Sequence, residues 1–226
     1  MTPPTGTGKY ERLLERCQSL TPVPTAVAHP CEATALAGAI EAGAKGLIAP
    51  ILVGPAAKIR EVAHASGIVL GSTPIVDVPH SHAAAAKAVE LVRKGEAELL
   101  MKGSLHTDEL LGAVVARETG LRTGRRISHV FIMDVPTYHK ILIVTDAAIN
   151  IAPTLEDKVD ICQNAIDLAV LLGVKTPKVA ILAAVETVNS KMIATIDAAA
   201  LCKMADRKQI TGGLLDGPLA FDNAIS

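Results

Sequence analysis

Three short segments place charged and hydrogen-bonding side chains directly after apolar runs, where a strand would hand over to a loop. The first is "LLMKGSLHTDELL" (99–111), which sets Lys102, Gly103, Ser104, His106 and Thr107 between an apolar run and a helical pattern with an acidic first turn. Lys is a mobile cation for phosphate, Gly lets backbone approach a ligand, and Ser and Thr can cap a helix or hold an oxyanion. A plain strand-to-helix loop also needs a glycine and a cap, so both readings stay open. The second is "VTDAAINIAPT" (144–154), where Asp146 ends an apolar run and Asn150 follows. A carboxylate there can serve as a base or acceptor, and it can equally fold an Asx-turn. The third is "LLDGPLAFDNAIS" (214–226), in which Asp216 ends a strand pattern, Gly217 and Pro218 turn the chain, and Asp222 falls in the first turn of a helix. An acidic residue in that turn also suits the helix dipole.

Other candidates carry less. The segment "RTGRR" groups Arg122, Arg125 and Arg126, a set able to grip phosphates or to form a solvated basic loop. His80 and His82 read as surface residues without a metal-site partner pattern. "GTGK" near the start resembles a phosphate loop, but no strand precedes it and Tyr10 follows where Ser or Thr is needed. No G-x-G-x-x-G, H-E-x-x-H or G-x-S-x-G occurs at the required place.

These segments must be held by an alternating scaffold. Helical spacing over 10–20, 31–44, 55–67, 81–95 and 106–120 alternates with strand-like runs at 25–29, 46–54, 73–78 and 97–103. Gly43 is read as the stop of the second helix and Pro55 as a first-turn residue of the third. Such repetition predicts a parallel sheet wrapped by helices. The texture changes near 121. Runs at 128–135 and 139–146, joined by "PTYH", predict an antiparallel hairpin. Then come a long helix from Thr154 with Asp157 in capping-box position, a strand at 178–185, a helix at 189–208 and a strand at 211–217. The expected organisation is a mobile tail (1–8), an N-terminal α/β domain (9–126) and a second α/β domain (127–226).

Bulk composition limits the function classes. Half of the 226 residues are apolar and only 2% are aromatic, so Ala, Val, Ile and Leu must pack the core. That favours layered helices and parallel strands. The net charge of −1 provides no general attraction to nucleic acid or anionic lipid. No run is long and apolar enough to span a bilayer, and the N-terminus lacks the apolar region of a signal peptide. Cys17, Cys31, Cys162 and Cys202 lie far apart and read as buried thiols of a cytoplasmic protein.

Taken together, "LLMKGSLHTDELLGAVV", "GLRTGRRISHVFIMDVPTYHKILIVTDAAINIAPTLEDKVDICQNAI", "PKVAILAAVETVNSKMIATIDAAALCKMADR" and "DGPLAFDNAIS" resemble the phosphate acetyltransferase / phosphate butyryltransferase family, in order from about Tyr10 to Ser226. The "LRTG…SHV" and "TDAAINI" forms resemble its butyryltransferase branch more, including the phosphate acyltransferase half of bifunctional enoyl-CoA hydratase proteins. The resemblance implies two α/β/α domains with mostly parallel sheets and an interdomain cleft, similar to isocitrate and isopropylmalate dehydrogenases. It implies a homodimer or larger oligomer and a reversible reaction, acyl-CoA plus phosphate giving acyl phosphate plus CoA. No cofactor, metal or covalent intermediate is then needed, and acyl-CoA and phosphate are the partners. Lys102, Gly103, Ser104, His106, Thr107, Asn150, Asp216, Gly217 and Pro218 are implied to line the substrate site, with Asp222 and Asp146 as the catalytic carboxylates. In the family the fold continues for roughly 70 residues more, a fair part of a domain, carrying a Ser-Arg pair and a downstream Asp. The chain is therefore expected to be a fragment, with its second domain lacking that return segment. The alternatives are a non-catalytic CoA- or anion-binding remnant and, less favoured, a related metal- and NAD-dependent dehydrogenase.

Overall fold

The computed structural model describes residues 8–226. Residues 1–7 of the expected tail and the first two residues of "GTGK" lie outside the described residues. The chain divides into two compact units, which are described separately: Tyr10–Thr123, and residues 124–226 together with Lys9.

In the first unit, α1 (Lys9–Cys17) precedes a regular alternation: β1 (Val23–Ala28), α2 (Ala33–Ala44), β2 (Ile48–Gly54), α3 (Ala56–Ala65), β3 (Ile75–Asp77), α4 (Ser81–Arg93), β4 (Leu99–Lys102) and α5 (Thr107–Val114). The four strands form one parallel sheet in the order β3-β2-β1-β4. The period of two along a strand sends successive side chains to opposite faces. Ala26 and Ala28 of β1 and Val53 of β2 therefore pack with Ala84, Ala85, Ala88 and Leu91 of α4. Val27 and Leu52 pack on the other side with Leu36 and Ala39 of α2 and Ile59 and Ala63 of α3. Burial on both faces is why these strands read as unbroken apolar runs.

Several ends differ from the sequence expectation. Helix α2 passes through Gly43, whose Cβ would sit 3.2 Å from Pro50 Cδ, and stops where Gly46 takes φ +70°. Pro55 is the N-cap of α3, not a first-turn residue. Helix α5 ends at Val114 because Leu121 N–H returns to the Val114 carbonyl at 2.7 Å and Gly120 lies against the carbonyls of Val114 and Ala116.

The second unit contains the expected hairpin, β5 (Val130–Met133) antiparallel to β6 (Leu142–Thr145), shorter than predicted and with a longer connection. Lys9 belongs here: its ammonium donates to the carbonyls of Val135 and Tyr138 at 3.0 and 2.6 Å and pairs with Asp134 at 3.2 Å. Helix α6 (Leu155–Leu171) begins with the predicted capping box between Thr154 and Asp157. Then β7 (Lys178–Leu182), α7 (Ile193–Asp206), β8 (Leu214–Leu219) and the short α8 (Phe221–Ile225) follow. Strands β7 and β8 pair in parallel, and Ile166 of α6, Leu201 of α7 and Ile210 form the fully buried centre beneath them.

Leu52 has no exposed surface in the first unit. Leu52→Ala should lower that unit's unfolding free energy by about 2–5 kcal/mol, read as a shift in the denaturant midpoint with little change in slope.

Candidate functional site

Strand order decides where the first unit can hold a ligand. The chain winds β1 to β2 to β3 in one direction, and β4 then adds on the other side of β1. The switch point lies between β1 and β4, and beyond the carboxyl ends of those strands the two outgoing loops separate. These loops carry residues 29–32 and 103–106. The Gly103 and Ser104 N–H groups donate to the carbonyls of Ala28 and His29 at 2.8 and 2.9 Å, extending the β1–β4 ladder past the strands. A Cβ on Gly103 would lie 2.4 Å from the Ala28 carbonyl oxygen and 2.5 Å from that of His29, so only glycine fits. The Ser104 hydroxyl donates to the His29 carbonyl at 2.8 Å and accepts from Cys31 N–H at 3.0 Å. His29 Nδ1 lies 3.4 Å from the same oxygen.

Helix caps differ across the sheet. Helix α3 has its Ala56 N–H bonded by Asp77 at 2.8 Å, and α4 has its Ala83 N–H bonded by His80 Nδ1 at 3.2 Å. Helices α2 and α5, which follow β1 and β4, have N-caps Glu32 and His106 that make no side-chain cap bond. Their first-turn N–H groups remain for water or an anion. Thr107 is the first residue of α5 and not its cap. Lys102 is exposed, and its ammonium donates to the Gly103 carbonyl at 3.3 Å. Burial, then the nearby Lys58, lowers the His29 pKa against the opposing pull of Glu109 and Glu32. Glu109 accepts from the Ser81 hydroxyl and meets His82 Nδ1, both at 3.3 Å.

In the second unit, Asp146 closes β6 and is saturated with donors. One oxygen accepts from Ala148 and Ile149 N–H at 2.9 and 2.8 Å, and the other from His129 N–H at 3.1 Å and the Asn150 amide at 2.6 Å. Burial pushes this carboxyl up, but the bonds from Ile149, Asn150, His129 and Ala148 outweigh it and hold the pKa at about 2. That is the geometry of an Asx-turn, and a carboxylate so held is a weak base. Asn150 also donates to the Ile127 carbonyl at 3.0 Å and accepts from Arg126 Nε at 2.5 Å. Two of the three arginines of "RTGRR" are tied to carboxylates: Arg126 to Asp157 at 3.1 Å, Arg125 to Asp167 at 2.6 Å.

The third segment departs from its expected outline. Asp216 does not end a strand: β8 runs through Asp216, Gly217 and Pro218 to Leu219, with Gly217–Pro218 in cis. A Cβ on Gly217 would lie 2.7 Å from the Ile181 carbonyl oxygen, so this glycine permits close contact between β8 and β7. Asp216 is exposed and accepts from the Gly217 N–H at 2.9 Å. Asp222 is exposed in the first turn of α8, and no hydrogen bond engages its carboxylate among the described residues. The next residue, Asn223, donates to Glu186 in the loop after β7.

Known proteins are similar to this chain. The family described as "Phosphate acetyl/butaryl transferase" matches residues 80–226. The chain is 64% identical to the phosphate acetyltransferase of Rhizobium meliloti, over 98% of this chain and 70% of that protein. The chain belongs to the phosphate acetyl/butyryl transferase family. It is also 57% identical to the phosphate acetyltransferase of Rickettsia felis, spanning 62% of that protein's length, and 40% identical to the phosphate butyryltransferase of Clostridium beijerinckii, spanning 72%. Among solved structures, a branched-chain phosphotransacylase from Enterococcus faecalis V583 superposes with a TM-score of 0.72 at 27% identity, over 88% of this chain and 69% of that one. A phosphotransacetylase from Streptococcus pyogenes reaches 0.76 at 17% identity, over 95% and 73%, and shares the fold.

The family's match covers all three segments singled out from sequence. The first unit brings Lys102, Gly103, Ser104, His106 and Thr107 together beside the β1 loop, and the second joins Asp146 to Asn150. Asp216 and Asp222 stand on separate elements, β8 and α8. His29 was not anticipated, although it is the first residue after an apolar run and the chemistry of its neighbour Ser104 was.

The Asp146 carboxyl sets a pH dependence. Its pKa is depressed from the unfolded value of about 3.9, so its contribution is full above about pH 4 and is lost as the pH falls towards about 2. The stability difference between wild type and Asp146→Asn should narrow across that window in acid titration of the unfolding midpoint. A constant difference would exclude this assignment.

Proposed function

We propose that this chain catalyses reversible transfer of a short acyl group, acetyl or butyryl, between CoA and inorganic phosphate. The observation that carries this reading is the 64% identity with the phosphate acetyltransferase of Rhizobium meliloti over nearly the whole chain. CoA enters as substrate, and the chemistry calls for no cofactor. Phosphate is attracted to the uncapped N-termini of α2 and α5 and to Lys102, where N–H groups and a cation meet an anion. A phosphate oxygen attacks the thioester carbonyl carbon in a ternary complex. Fixed N–H donors stabilise the tetrahedral oxyanion, and positioning of the two reactants supplies much of the rate.

Collapse breaks the C–S bond. The proton carried by hydrogen phosphate ends on the CoA thiol, giving acyl phosphate and CoA. Of the two candidate carboxylates, Asp222 is assigned this proton transfer because its oxygens are not committed to hydrogen bonds among the described residues. Asp146 keeps its turn in shape instead. Asp216, Gly217 and Pro218 support the approach to Asp222 through the β8 backbone.

The working form is proposed to be a cytoplasmic homodimer. No helix among the described residues is long and apolar enough to cross a membrane. The β5–β6 hairpin exposes Phe131 (50%), Ile132 (41%), Met133 (42%) and Val144 (40%), and a second copy would cover this surface. Sedimentation should give a dimer that Phe131→Ser together with Met133→Ser shifts to monomer. An unchanged sedimentation coefficient would remove the hairpin from the interface.

The chemical reading is tested by following phosphate-dependent loss of the thioester from acetyl-CoA and butyryl-CoA. Lys102→Ala should raise KM for phosphate about 10- to 100-fold, the effect of one charged hydrogen bond. Asp222→Asn should lower kcat by about 100-fold or more. CoA binding without acyl phosphate formation would instead mark a non-catalytic binding protein.

A further inference from the structure

We propose that His29 is a positioning residue of the acyl-transfer site, holding the Ser104 hydroxyl and through it the Lys102–Thr107 loop in the form that receives phosphate. This rests on the acyl-transfer reading above. His29 takes φ +53°, a left-handed conformation uncommon for non-glycine residues, in which Asn, Asp and His are the enriched types. The turn aims its backbone in two directions. Its N–H donates to the Val53 carbonyl of β2 at 2.7 Å. Its carbonyl accepts from Cys31 N–H, Ser104 N–H and the Ser104 hydroxyl, all within 2.9 Å. One residue thus ties β2, the β1 loop and the β4 loop together.

The backbone alone does not require histidine. The ring supplies the rest. The Ser104 oxygen already donates to the His29 carbonyl and accepts from Cys31 N–H, leaving one lone pair, and His29 Nδ1 stands 3.4 Å away. A hydroxyl so committed has room only for a donor, so Nδ1 carries the ring proton. Burial and Lys58 favour the neutral ring, opposed by Glu109 and Glu32. The ring is then a fixed N–H donor, and the hydroxyl is held from three sides. The loop so fixed carries Lys102 before it and the uncapped start of α5 after it.

The test combines hydrogen exchange with steady-state kinetics on the 226-residue chain and its variants His29→Ala, His29→Asn, Ser104→Ala and the Ala/Ala double. Exchange at the Cys31, Gly103 and Ser104 amides should accelerate at least about tenfold in either alanine variant. The double variant should be no worse than the weaker single, because the residues act through one contact. KM for phosphate should rise by about tenfold, as for one lost hydrogen bond of a fixed network, while kcat stays within about twofold. His29→Asn should recover most of the loss, since Asn tolerates positive φ and offers an amide donor. Unchanged exchange in Ser104→Ala, additive effects, or no recovery with Asn would each overturn the proposal. A wild-type chain that fails to turn over acyl-CoA would overturn the acyl-transfer reading instead, and exchange alone would then decide the role of His29.

Discussion

Backbone crowding at the end of β4 governs the first unit. Gly103 lies so near the carbonyls of Ala28 and His29 that a Cβ would come within 2.6 Å of three backbone atoms. That approach lets two N–H groups of the β4 loop continue the ladder on β1. It fixes the point from which the loops diverge to α2 on one face and α5 on the other. Everything proposed to touch an anion follows from this geometry: the two uncapped helix starts, Lys102 at the strand end and the Ser104 hydroxyl held beside His29. The helices that start away from the switch point, α3 and α4, each have one first-turn N–H taken by a side chain, Asp77 and His80.

The second unit uses charge differently. Two of its arginines are committed to carboxylates rather than left for an anion. Arg125 and Arg126 bind Asp167 and Asp157 of α6, while Asn150 and Asp160 take further donors from Arg126. The same network reaches Asp146, whose four accepted bonds hold its pKa at about 2. A carboxylate that a sequence offers as a base becomes, once its donors are counted, the knot of a turn. Asp222 is the contrasting case, with no such bonds among the described residues.

Much of the scaffold was legible because it follows from periodicity. The parallel alternation, the hairpin and the Thr154–Asp157 capping box all show in local spacing. The ends of elements were less legible. Gly43 lies within α2 because it packs against Pro50, and α5 stops early because a distant N–H, that of Leu121, takes the Val114 carbonyl. Both are tertiary effects. The continuation of β8 through Asp216, Gly217 and Pro218 is another, since an Asp-Gly-Pro sequence favours a turn, yet the strand shifts register there and pairs with β7 again at Leu219. The chemistry of the Lys102–Thr107 loop was visible, but the residue it leans on, His29, lies 75 positions away from Ser104 and is joined to it only by strand order.

The central claim is that the β1–β4 switch point receives the phosphate group. Titrating inorganic phosphate and then CoA while following backbone amide chemical shifts reads this directly. The account predicts saturable shifts concentrated at residues 29–36 and 102–110, with those at the start of α2 and α5 among the largest. Shifts that avoid both loops, or that centre on the starts of α3 and α4, would contradict it.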